Sequence, residues 1–365
     1  MKLTLKIKLL PDAKQADILK RTIAEFNAAA DVVSEIAWKN KAFNKFKIQR
    51  LSYYVIKAQF KLSAQLIIRL IGKVSDSYKL DRKVQRTFRK YGSITYDSRV
   101  LAYKNNTVSL STIEGRLKGI KYICHNPDYI PYIKGEADLV FNKGKFYLFQ
   151  TVEIPDEDIK DVEDFIGVDF GQTNIAATSD GKIFNSEQLK VVRKRYAKTR
   201  ASMQSKGTKG SKRALRRLSG RERRFATVTN HTIAKQIVQQ AKEQNRGIAI
   251  EDLTNIRKNA KAKSRAQKTE LNRWSFYQLR QFLEYKSKMS GIRLFAIPPA
   301  YTSQTCSSCQ HIGIRKGEKF SCNNCGYKAH ADVNAAKNIA TWGRIVNRPE
   351  NSHDMSCILS HNVQG

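Results

Sequence analysis

The sequence is poor in acidic residues. It contains 32 Asp and Glu against 67 Lys and Arg, which gives a formal net charge of +35 at pH 7. Solubility alone does not require an imbalance of this size, and a polyanion is the natural partner of such a surface. The shortage of acids therefore favours a nucleic-acid partner. A merely basic soluble enzyme is the alternative that composition leaves open.

Long apolar runs are also missing. No segment approaches the ~18 apolar residues of a membrane span. The first segment, MKLTLKIKLLPD, does not resemble a signal peptide, because its apolar and polar residues alternate as in a strand with one buried face. There are only six cysteines, and without a secretory signal they indicate a reducing, cytoplasmic compartment. We expect no membrane contact.

The hydrophobic pattern changes along the chain. At 365 residues the chain is long enough for two or more domains. After the first strand, apolar residues recur at spacings of three and four, and the segment SYYVIKAQFKLSAQLIIRLI is expected to continue the helical part. Short β-rich segments follow, including a predicted hairpin that turns at Asn142, Lys143 and Gly144. The acidic stretch at 155–164 marks the predicted boundary, beyond which strands alternate with basic helices in an α/β pattern.

Four of the cysteines have the spacing of a metal site. Two Cys-x-x-Cys pairs are separated by twelve residues, and their members are Cys306, Cys309, Cys322 and Cys325. Four thiolates suit tetrahedral zinc with Zn–S bonds of roughly 2.3 Å. Because they leave no open position for water, we predict a structural zinc ion. A pair of disulfides or four unligated thiols are the alternatives, and Cys124 and Cys357 have no spaced partner.

Three acids stand where a carboxylate is costly. Asp169 ends the apolar strand of IGVDFG, Glu251 ends that of IAIEDL, and Asp332 opens an Ala-rich helix shortly after the cysteines. Alone, each could be a capping or turn residue. Together they form a set of hard oxygen ligands that suits Mg²⁺ or Mn²⁺. Two such ions ~3.5–4 Å apart can clamp the attacking and leaving oxygens of a phosphodiester. Asp252 should face away from Glu251, because side chains alternate along a strand.

Two segments are strongly basic. Residues 191–225 contain fourteen Lys and Arg against the single acid Glu222, and residues 254–273 form a second run. A solvated helix face is the alternative for each run, but the imbalance favours phosphate contacts that weaken steeply with salt. The predicted nucleic-acid contacts are Arg193, Lys194, Arg195, Arg213, Arg216, Arg217, Arg221, Arg223, Arg224, Arg257 and Lys258.

Several segments together resemble the TnpB family, the small RNA-guided nucleases of bacterial and archaeal insertion sequences that are related to type V CRISPR effectors. They follow the family's order from residue 166 to 341: GVDFGQTNIAATSDG, SGRERRFATVTNHTIAKQIV, IAIEDLTNIR, LNRWSFYQLRQFLEYKSKMSGI, PPAYTSQTCSSCQHIG and FSCNNCGYKAHADVNAAKNIAT. The family's three catalytic acids correspond to Asp169, Glu251 and Asp332, and its zinc ligands to the four spaced cysteines. Two positions depart from the pattern, since Thr173 and Ala331 stand where basic residues are frequent.

The resemblance implies the fold class and a division of the chain. The fold is α/β, with an RNase H-like (RuvC) nuclease domain that carries an inserted zinc ribbon, and an N-terminal β-barrel wedge with a helical insertion. The expected parts are the wedge at 1–10 and 92–158, the recognition insertion at 11–91, the nuclease at 159–300 and 329–345, and the zinc-binding target-strand-loading module at 301–328. The polar tail at 346–365 lacks an apolar period and is predicted to be disordered.

The function that the resemblance implies is RNA-guided, metal-dependent DNA cleavage beside a short adjacent motif. The expected cofactors are two Mg²⁺ or Mn²⁺ ions and one structural Zn²⁺. The expected partners are a guide RNA from the transposon end and double-stranded target DNA, bound by a prokaryotic, nucleoid-associated monomer. An RNA-guided repressor that does not cut is an alternative, which the presence of three acids disfavours. A guide-independent transposase-associated protein would explain the charge but not the acids.

Overall fold

The computed structural model describes residues 1–253, 276–298 and 301–347. Its contacts divide the chain into two compact units, Met1–Pro155 and Asp156–Gly365. The division falls at the beginning of the acidic stretch 155–164. Among the helices in the described ranges, none has the length and apolarity that crossing a membrane requires.

The first unit is built on an antiparallel sheet that curls into a near-barrel. Its strands are β1 Lys2–Leu10, β2 Ile94–Tyr96, β3 Leu101–Lys104, β4 Thr107–Thr112, β5 Gly115–Cys124, β6 Ile133–Asn142 and β7 Lys145–Glu153, in the order β2-β6-β7-β1-β5-β4-β3. Strands β2 and β3 lie at opposite ends of this order, although only residues 97–100 join them. The sheet must therefore bend until its edges approach. Tyr96 of β2 accordingly donates its hydroxyl to the carbonyl oxygen of Ser111 on β4 at 3.0 Å.

The hairpin between β6 and β7 turns where the sequence predicts it. Asn142 pairs with Lys145, so Lys143 and Gly144 form a two-residue loop. Both residues have positive φ, 51° and 77°. This combination is typical of the type I′ turn, whose twist matches that of the flanking strands.

Three helices cover this sheet: α1 Ala13–Lys39, α2 Lys45–Gln59 and α3 Ala64–Leu80; a short 3₁₀ helix spans Pro127–Tyr132. Helix α1 begins at Asp12, which forms a capping box with Gln15. The helical structure expected across SYYVIKAQFKLSAQLIIRLI is confirmed, but it is divided between α2 and α3. The chain is extended at Phe60, and the next helix is capped by Ser63, whose hydroxyl accepts from the Leu66 N–H. An apolar run does not reveal such a break, since both helices bury apolar residues in one core.

The second unit contains a mixed five-stranded sheet. Its strands are β8 Phe165–Asp169, β9 Asn174–Thr178, β10 Ile183–Asn185, β11 Gly247–Glu251 and β12 Leu294–Ile297, in the order β10-β9-β8-β11-β12. The first three strands of this order are antiparallel, and β8, β11 and β12 run parallel. The helices are α4 Glu187–Lys206, α5 Lys209–Leu218, α6 Arg221–Glu243, α7 Phe276–Met289 and α8 Ala331–Asn347. A separate antiparallel sheet contains β13 Ile314–Lys316, β14 Lys319–Ser321 and β15 Lys328–His330.

Both faces of the five-stranded sheet are covered. Ile166 and Val168 of β8 lie in the core that includes α6 and α7, whereas Phe165 lies in a second core with Ile339 of α8. The side chains of β11 alternate between the two cores in the same way, since Ala249 lies in the core that includes Ile339 of α8. A strand buried on both faces is a continuous apolar run, which is the pattern that predicts β8 and β11 from the sequence.

Helix α8 lies unusually close to the sheet. A Cβ atom built on Gly167 of β8 would lie 1.9 Å from the Ala336 carbonyl oxygen and 2.5 Å from the Ala340 nitrogen. On the helix side, a Cβ atom on Gly343 would lie 2.8 Å from the Ala249 Cβ. The Ala-rich composition of α8 is therefore a packing requirement, since any larger side chain at these points would push the helix away from the strands.

Gly167→Ala is expected to destabilise the second unit by on the order of 2–3 kcal/mol, because the added methyl group overlaps the helix backbone. Gly210→Ala in α5 is the matched control, since the nearest atom would lie 3.9 Å away. Because alanine has the higher helix propensity, this variant should be neutral or stabilised by up to about 1 kcal/mol. Thermal unfolding of the wild type and both variants measures the difference. Equal midpoints for Gly167→Ala and the wild type would contradict the close packing.

Candidate active site

Two of the predicted acids end neighbouring strands and project from the same face. Asp169 has the same strand parity as Phe165, and Glu251 has the same parity as Ala249, so both carboxylates lie on the α8 side of the sheet. Strands β8 and β11 are parallel and adjacent, with Val168 opposite Ile250. The carboxyl ends of the two strands therefore bring Asp169 and Glu251 together.

Asp332 completes the group from the first turn of α8 and is 6% exposed. Its Oδ1 accepts a hydrogen bond from Arg315 Nη2 at 2.7 Å, and its Oδ2 accepts one from Asn174 Nδ2 at 2.8 Å. Its backbone N–H donates to His330 Nδ1 at 3.2 Å. An acid at a helix N-terminus is favoured by the helix dipole. Both carboxylate oxygens are thus engaged by side chains from other elements.

Glu251 is 8% exposed and is held by the loop that leads into the cysteines. The Thr302 hydroxyl donates to Glu251 Oε1. The Thr302 carbonyl in turn accepts from Asn338 Nδ2 at 2.9 Å, and the Thr305 carbonyl accepts from Asn334 Nδ2 at 2.7 Å. The amides of α8 therefore fix the loop that positions Glu251.

Sequence reasoning missed Arg315, Asn174 and these amides. The sequence contains a signal for the amides, because Asn334 and Asn338 lie four residues apart, on one face of the Ala-rich helix, and the structure buries both. Buried amides need hydrogen-bond partners, so such a pair predicts hydrogen bonds from the helix to a neighbouring segment. Arg315 has no comparable signal, since it is one of many basic residues in the chain.

The site carries uncompensated negative charge. Burial, followed by the neighbouring charges of Glu251 and Asp332, raises the pKa of Asp169 to about 8. Burial likewise raises the pKa of Glu251, against the opposing effects of the Thr302 hydrogen bond and the Arg315 charge. A cation beyond Arg315 would relieve this repulsion, and carboxylate oxygens are the ligands that Mg²⁺ and Mn²⁺ prefer. The donor set therefore fits a divalent metal. Within the described ranges the acid oxygens are nevertheless more widely spread than the cysteine sulfurs.

An open cleft reaches Asp332, one of the three acids. It has a volume of about 580 Å³ and is lined by Asp332, Arg315, Gln304 and the turn residues that follow Asp169. Thr173, one of the two departures from the family pattern, is exposed and lines the cleft. Ala331, the other departure, is fully buried, and its N–H donates to the Glu318 carbonyl at 2.7 Å. The cleft thus opens Asp332 to solvent.

Asp169→Asn should stabilise the metal-free protein, and the gain should grow with pH. Because folding raises the pKa of Asp169 from ~3.9 to about 8, the folded state retains a proton that the unfolded state loses, and wild-type stability falls as pH rises through this window. The uncharged amide avoids this loss, so its advantage should grow by up to about 1.4 kcal/mol per pH unit between about pH 4 and pH 8. Thermal midpoints of zinc-loaded, magnesium-free protein measure it. Asp252→Asn, at an exposed acid, is the control, and a gain for Asp169→Asn that is independent of pH would contradict the buried charge.

The four spaced cysteines converge at one point. Their sulfurs all lie within 4.8 Å of one another, with Cys306 Sγ 3.7 Å from Cys325 Sγ and Cys309 Sγ 3.5 Å from Cys322 Sγ. A tetrahedron with Zn–S bonds of 2.3 Å has sulfur–sulfur edges of about 3.8 Å. The cluster therefore fits a structural zinc ion. Cys124 lies in β5 of the first unit, and Cys357 lies outside the described residues.

The double variant Cys309→Ser/Cys322→Ser should lose the bound zinc, because two of four thiolates no longer suffice for a closed tetrahedral site. Metal analysis by mass spectrometry should find about one zinc ion per chain in the wild type and well below half of that in the variant. Cys124→Ser is the matched control and should keep its zinc. The same zinc content in the double variant and the wild type would exclude the cluster as the metal site.

The predicted nucleic-acid contacts lie mainly on helices α4 to α6. Nine of them fall in the described residues, and all except Arg193 are exposed. Arg193 is partly buried and lies 3.9 Å from Glu222, the one acid of the run. Helix α5 buries no residue of its own, so its basic side chains face solvent. Arg257 and Lys258 lie outside the described residues.

Asp252 differs from the three clustered acids. It is exposed, and its Oδ1 lies 2.5 Å from Arg280 Nη1 of α7, on the opposite side of the sheet from α8. The alternation predicted from the sequence is therefore confirmed. Only one of the two adjacent acids at the end of β11 belongs to the site.

The part of the chain that contains the acids and the cysteines is similar to known proteins. Residues 149–271 match the OrfB_IS605 family model, described as a probable transposase, and residues 276–339 match the Cas12f1-like TNB domain. The TnpB-like protein MJ0751 of Methanocaldococcus jannaschii is 31% identical over 192 residues, which cover 49% of this chain and 69% of that protein.

Two further relatives are similar over comparable lengths. The CRISPR-associated endodeoxyribonuclease Cas12f1 of Sulfoacidibacillus thermotolerans is 32% identical over 219 residues, which cover 54% of this chain and 50% of that protein. InsQ of Escherichia coli K12 is 30% identical over 226 residues, which cover 56% of this chain and 55% of that protein. The chain thus spans about half the length of these two relatives.

Proposed function

This chain belongs to the TnpB family, and from that membership together with the carboxylate group we propose that it is an RNA-guided, divalent-metal-dependent DNA endonuclease. The observation that carries the proposal is that Asp332 of α8 and Glu251 of β11 both act on Asp169 of β8, with Asp332 at an open cleft. The name of the similar Cas12f1 protein, an endodeoxyribonuclease, supports the same reaction.

The fold supports a RuvC-type, RNase H-like assignment for the second unit. The sheet has the order β10-β9-β8-β11-β12, in which the first three strands are antiparallel and β11 and β12 run parallel to β8. The adjacent strands β8 and β11 end in the acids Asp169 and Glu251. We propose that the zinc-binding segment, inserted before α8, is the part that guides a strand toward the acids. The near-barrel and its helices would then correspond to the wedge and the recognition insertion.

The three acids would hold Mg²⁺ or Mn²⁺, which when bound supplies the Lewis acidity and the activated water for phosphodiester hydrolysis. The chain's own residues orient the ligands. Asn174 fixes one oxygen of Asp332, and Thr302 fixes one oxygen of Glu251. Asp169 keeps its proton near neutral pH until a cation approaches, because its pKa is about 8 in the absence of metal.

The proposed partners are a guide RNA and double-stranded DNA. A net charge of +35 and the exposed arginines of α5 and α6 provide phosphate contacts without base recognition. In such an assembly, base pairing with the guide supplies the sequence specificity, and the protein holds the heteroduplex by charge and shape.

Asp169→Ala should abolish DNA cleavage, by on the order of a thousandfold or more, while binding of RNA and DNA stays unchanged. The reason is that the substitution removes a metal ligand and leaves the basic surfaces intact. Asp252→Asn is the matched control and should cut at the wild-type rate, since Asp252 faces away from the site.

The measurement is cleavage of a guide-matched duplex in Mg²⁺, with binding followed by gel shift. Cleavage that survives in Asp169→Ala would contradict the metal-site assignment. A wild type that binds the matched duplex with its guide but never cuts would instead identify an RNA-guided repressor.

A further inference from the structure

One cation is built into the acid group. Arg315 lies on β13, in the segment between the two cysteine pairs, and its side chain reaches from that small sheet to Asp332. The ion pair is 2.7 Å long, with the Arg315 side chain 35% exposed and the Asp332 side chain 9% exposed. Among the ion pairs of the described residues, it alone involves one of the three acids.

The guanidinium acts on the whole group. Its charge opposes the rise in pKa at Asp169 and at Glu251, as well as pairing directly with Asp332. The positive charge of Arg315 therefore stabilises the ionised acids, as the charge of a bound metal ion would. Two cations on one carboxylate repel each other in a partly buried site, so the guanidinium should weaken the binding of a divalent ion to Asp332.

We propose that Arg315 is an internal counter-cation that competes with divalent metal for Asp332, so that metal enters this side of the site only when the guanidinium leaves. Each oxygen of Asp332 accepts one hydrogen bond, Oδ2 from Asn174 and Oδ1 from Arg315, so a metal ion that approached Oδ1 would lie beside the guanidinium. While metal is absent, the guanidinium compensates part of the negative charge of the acids. It also connects the acid site to the zinc-binding segment that carries β13.

The arginine has room to leave. It precedes the hairpin turn at Gly317, and strand β13 is exposed at every position. Its side chain also lines the open cleft beside Asp332, so it can turn into this space without disturbing the core. Asn174, in contrast, is buried at the start of β9 and cannot move as easily. Arg315 is thus the ligand that a metal ion would displace.

The test is Mn²⁺ binding to the zinc-loaded full chain without nucleic acid, measured from free Mn²⁺ by electron paramagnetic resonance. Arg315→Gln should bind Mn²⁺ on the order of three- to tenfold more tightly than the wild type, as expected for removal of a partly exposed competing charge. Lys316→Gln, on the same strand and with the same loss of charge, should bind like the wild type. Arg315→Lys keeps the charge and should lie much closer to the wild type than to Arg315→Gln.

The inference rests on the proposed divalent-metal site, and the outcomes separate the two. Unchanged or weaker Mn²⁺ affinity in Arg315→Gln, with zinc content and circular dichroism equal to the wild type, would overturn the competition alone. Equal tightening in Arg315→Gln and Arg315→Lys would also overturn it, because charge would then not be the cause. An absence of binding in every variant would overturn the metal site together with the inference.

Discussion

The backbone of α8 lies against β8 with no room for a side chain between them, and the acid site depends on this contact. Gly167 and the alanines opposite it set the distance between helix and sheet. That distance places the first turn of α8, and with it Asp332, beside the ends of β8 and β11. A larger residue at the contact would move one carboxylate away from the other two and leave the fold otherwise recognisable.

The site is held together against its own electrostatic repulsion. Glu251 and Asp332 are buried and Asp169 is partly buried, and such carboxylates destabilise a fold unless cations or hydrogen-bond donors compensate them. Here the compensation comes from distant segments, since Asn174 belongs to β9, Thr302 to the loop before the cysteines, and Arg315 to the small sheet. A zinc ion at the four cysteines would stabilise the segment that supplies Arg315. It would thereby link metal binding at the cysteines to the charge at the acids through one short stretch of chain.

The sequence predicted those parts of this site that depend only on residues close together in the chain. Apolar runs that end in Asp169 and Glu251, alternation that turns Asp252 away, and the spacing of the cysteines all follow from strand geometry or ligand chemistry. The β6–β7 turn followed from its residue types in the same way.

The remaining features depend on contacts between segments far apart in the chain. Nothing near Gly167 indicates that Ala336 lies against it, and nothing near Arg315 distinguishes it from other basic residues. The helix break at Phe60 is set by how α2 and α3 share one core, so an apolar pattern alone could not show it.

The central claim is that this chain works with a guide RNA, and the RNA bound to it tests the claim most directly. The protein would be expressed with its flanking DNA and purified, and the RNA that accompanies it would be sequenced. The account predicts one discrete, structured RNA that ends in a variable segment. A heterogeneous mixture of cellular RNA would contradict it, because the charge of +35 would then bind polyanions without selection.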